Sequence, residues 1–149
     1  MQFTSEEGAR RYQEILVPLM FAPSARQLVA NAKLPVGAQV LDVATGTGVV
    51  AREAAVTIGS NGRVTAIDTT GTMLDVARSQ PAQPDAAPIE YFQSAIEDAA
   101  LPNAAFDAAF CQQALQFFDD PRSALARIRQ VLRPEARLHV ALWGSEEEH

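Results

Sequence analysis

The chain has little of what several protein classes require. It contains a single cysteine, Cys111, so no disulfide can form within it, which fits a reducing compartment. Its only lysine is Lys33 and its formal net charge is −6, which disfavours binding to nucleic-acid phosphates. No apolar run approaches the length of a membrane span, and the N-terminus lacks the apolar stretch of a signal peptide. We therefore expect a cytoplasmic protein that binds neither nucleic acid nor membrane.

The composition that is present is that of a folded domain. Hydrophobic residues make up 48 % of the 149 residues and charged residues 20 %, far from the balance of disordered chains. This length suits one domain with its own core and leaves no room for a second, substrate-binding domain. We expect a single domain over residues 1–149, which opens with a helical segment over 1–35.

The order of predicted elements indicates an α/β fold. Segments with helical periodicity alternate with five apolar runs, and nearly continuous apolar runs are typical of strands buried on both faces. This alternation predicts a doubly wound, mainly parallel sheet of the Rossmann-like kind. The five predicted strands are AQVLDVA, RVTAID, IEYFQ, FDAAFCQ and RLHVALW.

Capping residues and prolines predict where the N-terminal helices begin and end. Thr4 stands three positions before Glu7, a capping-box pattern that opens a helix, and Pro18 should end that helix. A second helix should follow Ser24.

The last helix is bounded in a similar way. Asp120 followed by Pro121 predicts its start, and Pro134 predicts its end before the fifth strand.

A loop of small residues follows the first strand. Ala44, Gly46 and Gly48 lie in the first strand-to-helix turn, where a doubly wound sheet binds ligands and small side chains let the backbone come close. Asp68 ends the second strand 20 positions after Gly48, where its carboxylate can accept hydrogen bonds from both hydroxyls of a ribose. Glycines alone also occur in turns that only pack a helix on a strand, and aspartate also caps helices. Together the features predict a ligand that contains a nucleoside.

Two classes of nucleoside fit this loop. Gly46, Gly48 and Ala51 form G-x-G-x-x-A, a variant of the fingerprint of NAD-binding domains. Alternatively, the stretch DVATGTG adds Asp42 on the strand itself and suits a sulfonium nucleoside. Asp42 favours the second class, because a buried carboxylate repels a pyrophosphate and attracts a cation or an amine.

At this point the sequence resembles the class I S-adenosylmethionine-dependent methyltransferases of small molecules, especially those of quinone biosynthesis. The resemblance spans nearly the whole chain. It rests on four stretches, VLDVATGTG, VTAIDTTGTMLDVAR, LPNAAFDAAFCQQALQFFDD and RIRQVLRPEARLHVALW. It implies S-adenosylmethionine as the cofactor, a small molecule as the methyl acceptor, and no metal.

The resemblance also implies which residues hold the cofactor. Gly46 and Gly48 would adjoin its amino-acid and ribose parts, and Asp42 would organise the loop and the cofactor's amino group. Asp68 would hold the ribose hydroxyls. The other residues that the resemblance places at the cofactor are Thr69, Met73, Cys111, Gln112, Tyr12 and Phe21.

The residue that binds the adenine amine is left open between two alignments. One alignment places it at Ala95 and Ile96, and the other places it at Glu97. Two departures from the family pattern are Ala44, where a glycine is usual, and Pro134-Glu135-Ala136, where Pro-Gly-Gly is usual.

No catalytic base stands out in the sequence. His139 alternates within a predicted strand and is interpreted as structural. Members of the resembled family normally continue with two further strands, and these are missing after RLHVALW. We therefore expect that strand at an exposed edge and a homo-oligomer formed through it. The alternatives to an active enzyme are a truncated cofactor-binding or assembly module without catalysis, and an NAD-type domain.

Overall fold

Five strands form one parallel sheet in the computed structural model, which describes residues 4–144. The strands are β1 (Gln39–Val43), β2 (Arg63–Asp68), β3 (Ile89–Gln93), β4 (Phe106–Gln112) and β5 (Leu132–Ala141). Their order in the sheet is β3-β2-β1-β4-β5, and each neighbouring pair is parallel. The chain therefore winds outward from β1 in both directions, and the predicted doubly wound fold is confirmed.

Helices cover both faces of this sheet. They are α1 (Glu6–Arg11), a π-helix (Tyr12–Phe21), α2 (Ala22–Ala32), α3 (Val49–Ile58), α4 (Gly71–Ser79) and α5 (Pro121–Val131). Short 3₁₀ turns lie at Ile96–Asp98 and Leu115–Phe117. One core cluster packs α2 and α3 against the sheet around Val40 and Phe110, and a second packs α5 against it around Leu41 and Ile128.

The bounds of three strands agree with those predicted from the sequence. β2, β3 and β4 begin and end where the apolar runs RVTAID, IEYFQ and FDAAFCQ do. These runs lie between turn residues, so backbone geometry and hydrophobic pattern define the same limits.

The N-terminal helices differ from the prediction. The cap is Ser5, not Thr4: its Oγ accepts a hydrogen bond of 3.0 Å from the Gly8 amide. Pro18 does not end a helix, because it lies inside the π-helix, and α2 follows directly at Ala22 instead of after Ser24. The π winding bonds amides to carbonyls five residues back; Pro18 has no amide hydrogen and makes no such bond, but the helix continues past it to Phe21.

The fifth strand is also placed differently. It begins directly after α5 at Leu132, passes Pro134 and ends at Ala141, before Trp143. Pairing with β4 is interrupted between Phe106 and Ala108, and Glu135 adopts φ 70° within the interruption. The strand pairs only with β4 among residues 4–144, so it is an edge of the described sheet. No helix in this part of the chain is long and apolar enough to cross a membrane.

Candidate functional site

A cavity of about 570 Å³ opens where the parallel strands end. Its wall consists of residues at or beyond the carboxyl ends of β1, β2, β3 and β4, in the segments 43–44, 67–69, 94–98 and 117–120, together with Ser123. Open α/β sheets bind ligands at this edge, where the strand order reverses, and the volume lies within the range of small-molecule sites.

The loop after β1 has an unusual backbone that small residues permit. Ala44, Gly46 and Gly48 all adopt positive φ, at 57°, 58° and 86°. The Thr45 amide donates to the carbonyl of Ile67 at the end of β2, and the Gly48 amide donates to the carbonyl of Thr45, each at 2.9 Å. The loop is therefore folded against β2 and leads directly into α3.

The two glycines face opposite sides of this loop. A methyl group added to Gly46 would lie 3.9 Å from the Tyr12 hydroxyl and from Met73 Cε, so there is room beside it. A methyl group added to Gly48 would lie 2.7 Å from the Tyr91 hydroxyl and 2.9 Å from Arg52 Nη1. Gly48 is thus favoured by its positive φ and by the side chains packed behind the loop, whereas Gly46 faces the N-terminal segment.

Asp68 connects the end of β2 to its neighbours. One carboxylate oxygen accepts a hydrogen bond of 2.8 Å from the Gly46 amide, and the other accepts one of 2.8 Å from the Thr70 amide. Each oxygen retains a further lone pair, because an ionised carboxylate can accept about four hydrogen bonds. The side chain is held by backbone amides and lines the cavity.

Asp42 lies beneath the loop and is almost fully buried, with 1 % of its surface exposed. Its Oδ2 accepts a hydrogen bond of 2.6 Å from the Thr45 hydroxyl. Burial raises the pKa of Asp42 from 3.8 to about 7, and the charge of Asp68 adds to this shift, whereas Thr45, the Ala51 amide and Arg52 lower it. The carboxyl group therefore titrates near neutral pH, and a nearby positive charge would favour its ionised form.

The wall of the cavity is acidic. The carboxylates on it are those of Asp68, Glu97, Asp98, Asp119 and Asp120. Within residues 4–144, neither lysine nor arginine contributes to this wall. Such a wall attracts cations and repels phosphates, because like charges in a partly enclosed site are costly to bring together.

The segment 94–98 contains both alternatives for the adenine-binding position. Ala95 and Glu97 line the cavity, and the Ile96 side chain also reaches it although only 3 % of its surface is exposed. Of the three, only Glu97 has a side chain that can accept a hydrogen bond from an amine, and Asp98 beside it offers a second carboxylate.

The N-terminal segment lies against the loop. Tyr12 and Phe21 stack with their ring centres 5.0 Å apart, and Gln112 Nε2 at the end of β4 donates to the Phe21 carbonyl at 3.1 Å. Burial raises the pKa of Tyr12, and the charges of Asp68 and Asp42 raise it further, so the hydroxyl stays protonated. Met73 packs beside Tyr12, whereas Thr69 lies on the cavity wall.

Cys111 is placed away from solvent. Its side chain is fully buried in the core cluster that packs against α5, and burial raises the pKa of its thiol to about 12. The expectation that it faces a cofactor therefore has no support from the position of its side chain. His139 stacks on Phe110 with ring centres 5.2 Å apart, an environment that suits the structural interpretation.

The wall that follows β4 was not among the predicted site residues. It consists of Phe117, Phe118, Asp119 and Asp120. Asp120 also caps α5, where it accepts hydrogen bonds of 3.1 Å from the Ser123 amide and 2.6 Å from the Ser123 hydroxyl. The Asp120-Pro121 helix start, in the connection that follows the fourth strand at the ligand edge, is a signal that could have identified this segment. No group of three metal-ligating side chains occurs among the described residues.

Comparison with known proteins gives one family match. Residues 41–140 match the methyltransferase domain family. The chain is 38 % identical over 111 residues to an uncharacterized methyltransferase of Mycobacterium tuberculosis, which covers 74 % of this chain and 53 % of that protein. It is 34 % identical over 105 residues to the ubiquinone/menaquinone biosynthesis C-methyltransferase of Hahella chejuensis, which covers 70 % of this chain and 42 % of that enzyme. The chain thus spans about half the length of these relatives.

A solved structure supports the fold independently. The SAM-dependent methyltransferase from Aquifex aeolicus superposes with a TM-score of 0.79 and covers 93 % of this chain and 73 % of that one. Its sequence is only 22 % identical, so the likeness concerns the fold.

Proposed function

This chain belongs to the methyltransferase domain family, and on that premise we propose that it uses S-adenosylmethionine to methylate a small molecule. The family membership agrees with the resemblance to class I methyltransferases seen in the sequence. The observation that carries the proposal is the cavity beyond the strands, whose wall carries five carboxylates and no basic side chain within residues 4–144.

The charge of the cavity favours this cofactor over a dinucleotide. S-adenosylmethionine carries a sulfonium and an ammonium group, and both are stabilised near carboxylates. The pyrophosphate of NAD would have no basic side chain on the wall and would face Asp68, with Asp42 buried beneath the loop. The donors and acceptors present therefore fit a cationic nucleoside better than an anionic one.

We assign the residues to roles that their positions permit. Asp68 would accept the ribose hydroxyls through its remaining lone pairs, since its bonds to two backbone amides fix its orientation. Glu97 is the best placed acceptor for the adenine amine. Asp42 would stabilise positive charge near the loop, and Tyr12 with Phe21 would cover the cofactor. We leave the buried Cys111 side chain out of this site.

Methyl transfer requires the protein mainly to align the methyl acceptor with the cofactor. When bound, the cofactor supplies an electrophilic methyl group. The protein holds the acceptor in line with it and excludes water, an orientation effect that lowers the barrier without a charged catalyst. The Tyr12 hydroxyl stays protonated and the Asp68 carboxylate is engaged by amides, so we assign no catalytic base.

The acceptor is proposed to be a small molecule with a flat apolar ring. Phe117 and Phe118 lie on the cavity wall, and 67 % of the Phe117 surface is exposed. Exposed aromatic side chains at the mouth of a pocket offer stacking area to such a ring. The Hahella chejuensis relative is named for C-methylation in quinone biosynthesis, which agrees with this class.

Titration calorimetry tests the cofactor directly. S-adenosylmethionine and S-adenosylhomocysteine should both release or absorb heat on binding, and NAD should not. Heat with NAD alone would replace this proposal with the dinucleotide alternative. Methyl transfer is then tested with a panel of phenols, quinols and amines; cofactor binding without any turnover would support the non-catalytic module instead.

We also propose that two copies associate through β5. Leu142 and Trp143, which follow this edge strand, are 51 % and 52 % exposed. An edge strand has unpaired backbone groups, and a second copy related by a two-fold axis pairs them antiparallel while it covers the apolar side chains.

A further inference from the structure

Arg52 connects three separate parts of the fold behind the glycine loop. It lies in the first turns of α3, and its Nη1 donates to the carbonyl of Thr47 in the loop. Its Nη2 donates to Gln13 Oε1 in the N-terminal π-helix at 3.2 Å. Its side chain also lies beside the hydroxyl of Tyr91 on β3, since both groups are within 3 Å of the position that a methyl group on Gly48 would take. One planar guanidinium thus reaches the loop, the N-terminal segment and the sheet at once.

Arg52 holds the loop at Thr47, where the threonine side chain does not. Thr47 is fully buried, and its hydroxyl has no hydrogen-bond partner among residues 4–144. Its carbonyl, in contrast, is held by Arg52. Gly48 follows with φ 86° and lies directly against the Arg52 and Tyr91 side chains. These two side chains therefore form the surface on which the back of the loop rests.

We propose that Arg52 is a positioning residue, which with Tyr91 holds the glycine loop in the shape that the nucleoside cofactor requires. The effect on the cofactor rests on the proposed function, whereas the effect on the loop does not. Arg52 does not line the cavity beyond the strands, so it acts through Thr47 and Gly48 and not by contact with the ligand. Its charge also favours the ionised form of Asp42 beneath the same loop.

Arg78 offers a matched control. Arg52 and Arg78 line one cavity of about 410 Å³ on the far side of the loop, between α3, α4 and β3. Arg78 donates to the Tyr91 carbonyl at 3.0 Å and pairs with Asp75 at 3.5 Å. Within residues 4–144, Arg78 has no hydrogen bond to the loop after β1. Arg78→Met therefore removes an arginine from the same cavity but leaves the hydrogen bond between Arg52 and the Thr47 carbonyl in place.

Hydrogen exchange of the ligand-free protein tests the loop. The reporters are the amides of Thr45, Gly46 and Gly48, each of which is hydrogen-bonded in the folded loop. Arg52→Met should accelerate the exchange of these amides by roughly tenfold, the scale of one lost charge-assisted hydrogen bond. In the same variant, the amides of β2 should exchange at the wild-type rate. In Arg78→Met, the loop amides should also exchange at about the wild-type rate. Arg52→Lys keeps the positive charge but loses the planar guanidinium with its several donors, so its effect on the exchange rates should be intermediate. Tyr91→Phe removes one partner and gives a second variant if Arg52→Met does not fold.

Calorimetry with S-adenosylhomocysteine then tests the consequence for the cofactor. Arg52→Met should bind roughly tenfold more weakly, and Arg78→Met should bind like the wild type. Unchanged loop exchange in Arg52→Met, or equal effects of the two arginine variants, would overturn the assignment. Faster loop exchange in a protein whose wild type binds no cofactor would support the positioning role and count against the proposed function alone.

Discussion

The carboxylate of Asp68 accepts a hydrogen bond of 2.8 Å from the Gly46 amide, although the two residues lie 22 positions apart in the chain. This bond joins the end of β2 to the loop after β1. The same carboxylate lines the cavity, so one side chain contributes both to the shape of the loop and to the acidity of the site.

Asp68→Asn should therefore weaken cofactor binding. The amide group retains one acceptor oxygen, but its NH₂ faces a backbone amide that now lacks a partner. The lost charged hydrogen bonds should cost about 1.5 to 3 kcal/mol of binding free energy, measured by calorimetry with S-adenosylhomocysteine. Asp75→Asn is the control, since Asp75 is exposed on α4 and its only ion pair within residues 4–144 is with Arg78. A folded Asp68→Asn variant with wild-type affinity would remove Asp68 from the proposed site.

Asp42→Asn should change how stability depends on pH. The pKa of Asp42 is raised by burial from 3.8 to about 7, so between these values the folded state holds a proton that the unfolded state has lost. The contribution of this bound proton to the free energy of unfolding is complete below pH 3.8 and disappears as pH rises through about 7. The asparagine variant should therefore lose less stability than wild type between pH 4.5 and 8 in urea denaturation. Parallel pH profiles for the two proteins would show that Asp42 is ionised throughout.

The two glycines of the loop should respond differently to alanine. Gly48→Ala meets two side chains at under 3.0 Å and keeps φ 86°, so we expect about 1 to 3 kcal/mol lower stability in urea denaturation. Gly46→Ala has open space and should cost only about 1 kcal/mol of backbone strain. Its methyl group projects toward Tyr12 and Met73, so the larger effect should be on cofactor affinity. Equal losses of stability in the two variants would contradict the opposite orientation of the glycines.

Thr47→Val should stabilise the ligand-free protein. The buried hydroxyl has no partner among residues 4–144, and valine has nearly the same shape without the polar group. We expect the free energy of unfolding to rise by about 1 kcal/mol, because an unsatisfied buried group no longer has to be desolvated. Thr57→Val is the control: Thr57 is exposed and its hydroxyl donates to the Glu53 carbonyl at 3.0 Å, so no gain is expected. A loss of stability in Thr47→Val would show that the hydroxyl is satisfied in solution.

The proposed dimer predicts a specific effect of charge beside β5. Leu142→Glu combined with Trp143→Glu should convert the protein to a monomer in size exclusion with light scattering, since carboxylates cannot be buried there unpaired. Val36→Glu adds a charge at a residue that is 81 % exposed on another part of the surface and should leave the dimer intact. A wild-type protein that is monomeric at tens of micromolar would refute the dimer.

Local pattern was sufficient to predict the strands and the acids at their ends. RVTAID, IEYFQ and FDAAFCQ were delimited to the residue, because an apolar run between turn residues determines a strand with little help from distant contacts. Asp42 and Asp68 were placed for a similar reason, since Asp42 belongs to the predicted strand AQVLDVA and Asp68 to RVTAID, and the fold class alone places the carboxyl ends of parallel strands at the ligand edge.

Features that depend on hydrogen-bond register or on contacts between distant segments were not predictable from the local sequence pattern. In an α-helix, Tyr12 and Phe21 would lie on opposite faces, since nine steps of about 100° make two and a half turns, and only the wider π winding brings their rings together. The sequence marked Pro18 as a break because the effect of proline was judged for α winding.

By itself, then, the sequence determined that five strands alternate with helices in a doubly wound arrangement, the bounds of β2, β3 and β4, and the acidic residues near the carboxyl ends of β1 and β2, because each of these follows from the periodicity and turn chemistry of a short segment. Tertiary structure alone decided that Cys111 faces the core, that Asp119 and Asp120 join Asp68 on one cavity wall, and that Arg52 meets Gln13 and Tyr91 behind the loop. The physical reason is that these contacts join residues from separate elements. They form according to how the helices pack on the sheet, and the local sequence around each residue does not determine that packing.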